Sequence, residues 1–310
     1  MSRREFLLYS GKLISLGLLP PFLSSYAPTT QAGIDSFFNI SLAQWSMHRQ
    51  LRSGQLKMLD FPVKTQKMFD IYAVEYVNQF FMDKASDKTF LNMLKHRADD
   101  HGVKSLLIMV DAEGHLGAPN APERHVAVEN HYQWVAAAEH LGCHSIRVNA
   151  SGVGSKTEVK KASIDGLRQL SEFAKDFGIN VLVENNKGYS ANGKWLLTGP
   201  SANGKWLADV IRGVDMPNCG SLPDFGNFSD YDPYQGMRDL MPYAKGISAK
   251  SLEFDAQGNE VNTDFAAMLD IIKAANYRGY IGIEYEGAGD EDKGILATKR
   301  LLSRLGQLMS

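Results

Sequence analysis

Eight short apolar segments recur along the chain, and the stretches between them place apolar residues at helical spacing. Continuous apolar runs of this length are typical of strands that are buried on both faces of a parallel sheet. Several helical stretches end on a glycine just before the next run, as a helix C-terminus favours. We therefore predict an α/β fold, a single (β/α)8 TIM barrel that follows an N-terminal signal segment. The predicted strands are 38–44, 71–77, 104–110, 144–149, 180–184, 219–223, 245–249 and 280–285.

The N-terminal segment has the pattern of an export signal. Arg3 and Arg4 form a twin-arginine motif, and a moderately apolar stretch follows from Leu7 to Leu23. A lysine, glycines and two prolines interrupt that stretch, so we expect no stable membrane span in the mature protein. We predict a twin-arginine signal peptide and short linker over residues 1–32, the barrel over 33–310, and export to the periplasm. An ordinary secretory leader is the alternative.

The composition is that of a globular protein without a basic surface. Hydrophobic residues make up 44% of the 310 residues and charged residues 22%, and the net charge is −2. This balance gives no support for a nucleic-acid partner. The two cysteines, Cys143 and Cys219, precede strands that are not neighbours in a barrel, which favours buried free thiols over a disulfide.

Four predicted strands in the second half of the chain end on residues that can do chemistry. They are Glu184, Asp224, Lys250 and Glu284. The carboxyl ends of barrel strands meet at one mouth, where such barrels keep their active sites. Three carboxylates and one ammonium in an apolar-walled mouth are costly unless a cation, a proton or a substrate balances them. The pattern therefore favours an enzyme.

Further polar residues lie near the predicted strand ends and form a set suited to a polyhydroxylated ligand. Each could instead make an ordinary strand-end hydrogen bond or salt bridge. Glu286 could share the site or point to solvent. The substrate-binding candidates are Glu75, Asp111, His48, Arg147, Asn149 and Asn227. We expect the other histidines on helices and loops to face solvent, namely His96, His101, His125, His131 and His140.

A seven-residue segment, Ser190–Leu196, recurs as Ser201–Leu207 after the fifth strand. A local duplication that lengthened a surface loop is one interpretation. The other is a lid whose two tryptophans offer a face to a sugar ring.

Several strand-end motifs resemble those of the xylose isomerase-like barrel superfamily of sugar isomerases and epimerases, which includes the endonuclease IV fold. The motifs are Val183-Glu184-Asn185, Leu222-Pro223-Asp224-Phe225-Gly226-Asn227, Ser248-Ala249-Lys250-Ser251 and Gly282-Ile283-Glu284. The resemblance extends from Ile40 through Glu284.

The resemblance implies that Glu184, Asp224 and Glu284 bind one divalent metal ion and that the two glutamates flank the reacting sugar carbon. The family's histidine ligand is missing, because Ser248 occupies its position and all eight histidines precede residue 145. An all-oxygen ligand set favours Mg²⁺, Mn²⁺ or Ca²⁺ over Zn²⁺. Alternatively, Lys250 neutralises the carboxylates and polarises a substrate carbonyl without a metal.

The predicted function is a sugar or keto-sugar isomerase or epimerase that transfers an α-proton through an enediolate. Glu184, Glu284 and Lys250 are the predicted catalytic residues, and the predicted partner is a small carbohydrate. A lyase that acts on 3-keto-glycosides by β-elimination and a non-catalytic carbohydrate-binding barrel remain alternatives, and a metal-dependent nuclease is disfavoured by the lack of late histidines.

Overall fold

Eight parallel strands form the centre of the protein in a computed structural model that describes residues 36–186 and 199–309. Neighbouring strands pair in parallel in the order β6-β5-β4-β3-β2-β1-β8-β7. The strands are β1 (Asn39–Ala43), β2 (Ala73–Val77), β3 (Lys104–Met109), β4 (Ser145–Val148), β5 (Asn180–Glu184), β6 (Cys219–Leu222), β7 (Ile247–Ser251) and β8 (Tyr280–Tyr285).

The sheet closes between β6 and β7 through isolated bridges rather than a full ladder. Ser221 pairs with Ala244, and Asp224 pairs with Ser248 just beyond the end of β6. The backbone N–H of Ser248 donates to the carbonyl of Pro223 at 2.9 Å. This seam brings Asp224 beside β7, so barrel closure itself helps to assemble the mouth.

Helices lie between successive strands, as the periodicity predicted. Asp264 accepts a hydrogen bond from the backbone N–H of Ala267 and caps the helix that follows it, and Gly142 ends another helix at φ +79°. The α-helices of the described residues are α1 (His48–Arg52), α2 (Phe61–Phe69), α3 (Lys88–Asp99), α4 (Ala121–Leu141), α5 (Lys156–Lys175), α6 (Gly204–Val214), α7 (Pro233–Leu240), α8 (Phe265–Ala274) and α9 (Glu291–Leu308).

Two separate groups of buried apolar side chains stabilise this arrangement. The larger one lies between the strands and the helices. The smaller one lies inside the barrel, toward the carboxyl ends of the strands, and contains Ala43, Val77, Leu107, Met109, Leu182 and Leu222. Because these side chains plug the barrel, a ligand can enter only at the strand ends.

The predicted (β/α)8 barrel is confirmed, and each predicted strand overlaps an observed one. Cys143 and Cys219 are buried free thiols, as expected. Burial raises the pKa of the Cys219 thiol to about 12, so the thiol stays protonated and unreactive at neutral pH. In the described part of the chain, no helix is both long and apolar enough to span a bilayer. The predicted signal segment lies outside the described residues.

The repeated segment is only half described, because Ser190–Leu196 lies outside the described residues. In the second copy, Trp206 is buried on α6 and its indole N–H donates to the carbonyl of Lys156 on α5. This side chain packs between helices on the outside of the barrel. The interpretation of Trp206 as part of a sugar-facing lid is therefore wrong.

Gly204, in that second copy, allows α6 and α7 to approach closely. A Cβ atom at Gly204 would lie 2.5 Å from the Cα atom of Gly236, which is a backbone contact that cannot yield easily. We expect Gly204→Ala to lower the free energy of unfolding by about 1–3 kcal/mol, as overpacking does. Urea denaturation measures the change. The neighbouring exposed Lys205→Ala is the control and should stay within about 0.5 kcal/mol of wild type. Equal stability of both variants would contradict the tight approach.

Candidate active site

Three carboxylates meet at the mouth, from the ends of β5, β6 and β8. Glu184, Asp224 and Glu284 are all buried, and one oxygen of each lies within 4.8 Å of the others. We call these three residues the carboxylate cluster. Burial is the largest cause that raises the pKa of Asp224, to about 7, with Lys250 opposing it and Glu284 adding to it. Burial also raises the pKa of Glu184 well above its usual value, although the Arg147 guanidinium opposes the shift.

Ser248 bridges two members of the carboxylate cluster. Its Oγ lies 2.7 Å from Asp224 Oδ2 and 2.6 Å from Glu284 Oε2. A serine hydroxyl has one hydrogen and can donate to only one of them. The second short oxygen–oxygen contact therefore requires either a proton on a carboxyl group or a cation close by.

Lys250 supplies positive charge next to the carboxylate cluster but is bonded elsewhere. Its Nζ lies 3.7 Å from Glu284 Oε1 and 4.0 Å from Asp224 Oδ2, whereas it donates to Glu286 Oε2 at 3.0 Å. Burial lowers the pKa of Lys250, but attraction to four carboxylates (Asp224, Glu284, Glu286 and Glu184) outweighs it, and the pKa rises well above its usual value. The ammonium is therefore charged at neutral pH. Glu286 shares the site rather than pointing only to solvent.

Arg147 forms the opposite wall with Asp111. Its Nη1 donates to Asp111 Oδ1 at 2.7 Å, and its Nε lies 3.3 Å from Glu184 Oε2. Asn149 and Gln79 also donate to the Asp111 carboxylate. Burial raises the pKa of Asp111, but the guanidinium and these hydrogen bonds outweigh it, so the net pKa lies below its usual value. Arg147 thus links a firmly ionised carboxylate to the carboxylate cluster.

Glu75 lies inside the barrel, in the middle of β2, rather than at the strand end where it was expected. Its Oε1 accepts a hydrogen bond from Ser41 Oγ at 2.6 Å, and its Oε2 has no hydrogen-bond partner among the described residues. A Cβ at Gly282 would lie 2.5 Å from Glu75 Oε1, so only glycine leaves room for this carboxyl group. Burial raises the pKa of Glu75 to about 7.

The remaining candidates lie at the edge of the mouth. His48 is half-buried, with its Nδ1 2.8 Å from the carbonyl of Trp45 and its ring stacked on the indole. Asn227 is half-exposed beyond Gly226, and Asn149 presents an amide oxygen that has no hydrogen-bond partner within the described chain.

His131 was expected to face solvent, and that expectation is wrong. The side chain is buried in α4, and burial lowers its pKa to about 4.

Sequence reasoning missed several residues that build the site. Two asparagine side chains each make two hydrogen bonds to the backbone at the next strand end. The Asn78 amide donates to the carbonyl of Asp111 at 2.9 Å and accepts from its N–H at 3.0 Å. The Asn185 amide donates to the carbonyl of Asp224 at 2.9 Å and accepts from its N–H at 2.7 Å. An asparagine directly after a strand was the available signal. The roles of Ser41, Ser248 and Trp45 depend on contacts across strands, which no local pattern reveals.

The charge at the mouth leaves room for a cation. Two cations, Arg147 and Lys250, face five carboxylates, which are Asp111, Glu184, Asp224, Glu284 and Glu286. Both Glu184 Oε1 and Arg147 Nε are buried without hydrogen-bond partners among the described residues. The carboxylates outnumber the cations by three, an excess that the interior cannot hold fully ionised. Hard divalent cations bind carboxylate oxygens, so the donor set of the carboxylate cluster fits such an ion.

Comparisons with known proteins identify the family and the fold. A family model described as the xylose isomerase-like TIM barrel matches residues 68–305. The chain belongs to this family. A search of curated proteins finds no match.

Solved structures share the fold at low sequence identity. A D-tagatose 3-epimerase-like protein is 17% identical with a TM-score of 0.65, and the match covers 88% of this chain and 100% of that one. The IolI protein with a bound zinc atom is 12% identical with a TM-score of 0.68, and the match covers 86% and 98%. A 3-keto-D-glucoside 4-epimerase from E. coli is 16% identical with a TM-score of 0.62, and the match covers 80% and 94%.

The raised pKa of Glu75 predicts a stability that falls as pH rises. Between about pH 4.5 and 7 the folded state keeps a proton that the unfolded state has lost, so the cost of ionisation is absent below this window and complete above it. Glu75→Gln is neutral throughout. The free energy of unfolding of Glu75→Gln, relative to that of wild type, should therefore rise by about 2–3 kcal/mol as the pH is raised from 5 to 8.

Urea denaturation of the chelated protein at the two pH values tests this prediction. Glu172→Gln, which replaces an exposed carboxylate on α5, is the control and should follow the wild-type pH dependence. Parallel pH profiles for Glu75→Gln and wild type would mean that Glu75 is not buried in the folded protein.

Proposed function

We propose that the protein is a sugar or keto-sugar isomerase or epimerase that moves a proton at the carbon next to a carbonyl group. The observation that carries the proposal is the convergence of Glu184, Asp224 and Glu284 within 4.8 Å, beside the charged Lys250. Similar folds include D-psicose 3-epimerase crystallised with D-tagatose and a 3-keto-D-glucoside 4-epimerase. Their names support a small carbohydrate as the substrate.

We propose that Glu184, Asp224 and Glu284 hold one divalent ion. When bound, this ion would supply positive charge that stabilises the oxyanion that develops on the substrate. An all-oxygen donor set favours Mg²⁺, Mn²⁺ or Ca²⁺ over Zn²⁺. The excess of carboxylates over cations at the mouth supports a divalent charge at this position.

Glu184 is the proposed general base, and Glu284 the acid–base partner on the other side of the substrate carbon. Burial raises the pKa of Glu184, which makes its carboxylate a stronger base toward a weak carbon acid. The guanidinium of Arg147, 3.3 Å from Glu184 Oε2, holds this carboxylate in place. Removal of the proton on one face and its return from the other inverts the carbon, which is epimerisation.

Lys250 is the proposed donor to the substrate oxygen on which negative charge develops. Its ammonium is charged, and an ammonium has three donors. Asp111, Asn149 and Arg147 would fix substrate hydroxyl groups on the opposite wall.

Asn227, His48 and Glu75 remain predictions as substrate contacts. Export to the periplasm through a signal in residues 1–32 remains a proposal.

Removal of one charge from the carboxylate cluster tests the proposed metal. We expect Asp224→Asn to weaken Mn²⁺ binding by more than about 10²-fold, since even outer-shell partners are worth 10–100-fold. Calorimetric titration and elemental analysis measure the effect. Asp83→Asn, an exposed carboxylate, should bind like wild type. A wild-type protein that holds no divalent ion and ignores chelator would leave Lys250 as the main charge-balancing group.

Conversion of either glutamate to its amide tests the proton transfer. We expect Glu184→Gln and Glu284→Gln each to lower turnover of a keto-sugar or 3-keto-glycoside by about 10²–10⁴-fold. Substrate binding should weaken less, because glutamine keeps the shape of the side chain. Incubation of wild type in D₂O should place deuterium on the reacting carbon.

Glu113→Gln is the matched control. Glu113 is also a buried carboxylate near the end of β3, but it accepts from Trp134 Nε1 at 2.5 Å on α4 and faces away from the mouth. This variant should keep its turnover.

The products formed by wild type separate the alternatives. Release of an elimination product would indicate the lyase, and sugar binding without turnover or exchange would indicate a binding protein.

A further inference from the structure

The ammonium of Lys250 is held back from the carboxylates that attract it. Among the described residues, Glu286 is the one acceptor within hydrogen-bond distance of Lys250 Nζ, at 3.0 Å. The distances to Glu284 Oε1 and Asp224 Oδ2 are 3.7 and 4.0 Å, which allow attraction but not hydrogen bonds. A shift of about 1 Å would replace the first contact by the other two, given the usual hydrogen-bond length.

Glu286 is itself fixed from two sides. The indole N–H of Trp45 donates to its second oxygen, Oε1, and the backbone N–H of Glu286 donates to the carbonyl of Ser251 at 2.9 Å. Trp45 is in turn packed between other groups, with His48 stacked on its ring and the Arg52 guanidinium 4.9 Å from the ring centroid. Each carboxylate oxygen of Glu286 thus has its own donor, and the side chain cannot follow the ammonium toward the cluster.

The stem of Lys250 also has a defined course. A Cβ atom at Gly226 would lie 3.0, 3.1 and 3.3 Å from Cδ, Cγ and Cβ of Lys250. The glycine therefore opens the path along which the stem runs, and the stem lies next to the Asp224 loop. Because the stem lies so close to the Asp224 loop, the Lys250 ammonium would move toward Asp224 without a hydrogen-bond acceptor at the end of β8.

We propose that Glu286 is a positioning residue that holds the Lys250 ammonium away from Asp224 and Glu284. The carboxylate oxygens then stay open to a cation, and two N–H groups of the ammonium stay available to a substrate oxygen. This inference rests on the proposed function for its purpose, but the geometry it predicts can be tested without any activity.

The test compares Glu286→Ala, Lys250→Met and the double variant. Glu286 is partly exposed, with 30% of its side chain accessible, so its loss should not prevent folding. In a crystal structure of Glu286→Ala without metal, Lys250 Nζ should lie about 3 Å from an oxygen of Asp224 or Glu284. An ammonium that keeps the wild-type distances would overturn the proposal.

Calorimetric titration with Mn²⁺ gives the second readout. Glu286→Ala should weaken Mn²⁺ binding by about 10-fold or more, as loss of an outer-shell partner does. The double variant should return to within about threefold of Lys250→Met, because no ammonium remains to occupy the carboxylates. A purely structural role would instead make the effects of the two single changes additive, and that result would contradict the proposal. Glu286→Gln, which keeps one acceptor for the ammonium, should lie between wild type and Glu286→Ala.

Asp209→Asn is the control, since this carboxylate on α6 also pairs with a lysine, Lys160 at 3.0 Å, but far from the mouth. Its Mn²⁺ affinity should equal that of wild type. If wild type binds no Mn²⁺, the proposed metal fails, and the position of Lys250 Nζ in the crystal structure still decides the role of Glu286.

Discussion

The burial of charge at the barrel mouth is the constraint on which the rest of the site depends. Five carboxylates and two cations share a space that is largely shielded from water, and neither Lys250 nor Arg147 can neutralise the cluster alone. Each side of the mouth therefore has its own positive charge. Arg147 lies between Asp111 and Glu184 on one side, and Lys250 lies between Glu286 and the carboxylate cluster on the other.

The fold accommodates this charge with small residues at defined positions. Gly282 leaves room for the Glu75 carboxyl group, and Gly226 leaves room for the stem of Lys250. Serines supply hydroxyl groups to the buried carboxylates, with Ser41 on Glu75 and Ser248 between Asp224 and Glu284. At these positions the site gives up apolar packing to make room for charged and polar groups.

The sequence predicted the barrel well because each strand is buried on both faces. A run such as Val181-Leu182-Val183 contributes one side chain to the barrel interior and its neighbours to the helix layer, so its apolar character is continuous. The ends of such runs are easy to locate in the sequence, and the residues Glu184, Asp224, Lys250 and Glu284 lie at four of them. That these four meet at one mouth followed from barrel topology alone.

The rest could not be predicted because it depends on register and side-chain direction. Glu75 appeared to end a strand, yet its pairing with Ala43 and Leu107 places it inside the barrel. His131 and Trp206 lie on helices whose buried faces are set by neighbouring helices. The partnership of Glu286 with Lys250 and Trp45 joins β8, β7 and the turn after β1, which no local pattern connects.

We infer that the carboxylate cluster holds a divalent ion that Lys250 does not displace. Anomalous diffraction from a crystal grown with Mn²⁺ would locate this ion. We expect one anomalous peak about 2.2 Å from an oxygen of each of Glu184, Asp224 and Glu284, as carboxylate ligands require, with Lys250 still bonded to Glu286. A map without a peak there, with the ammonium hydrogen-bonded to Asp224 and Glu284, would show that Lys250 and not a metal ion balances these carboxylates.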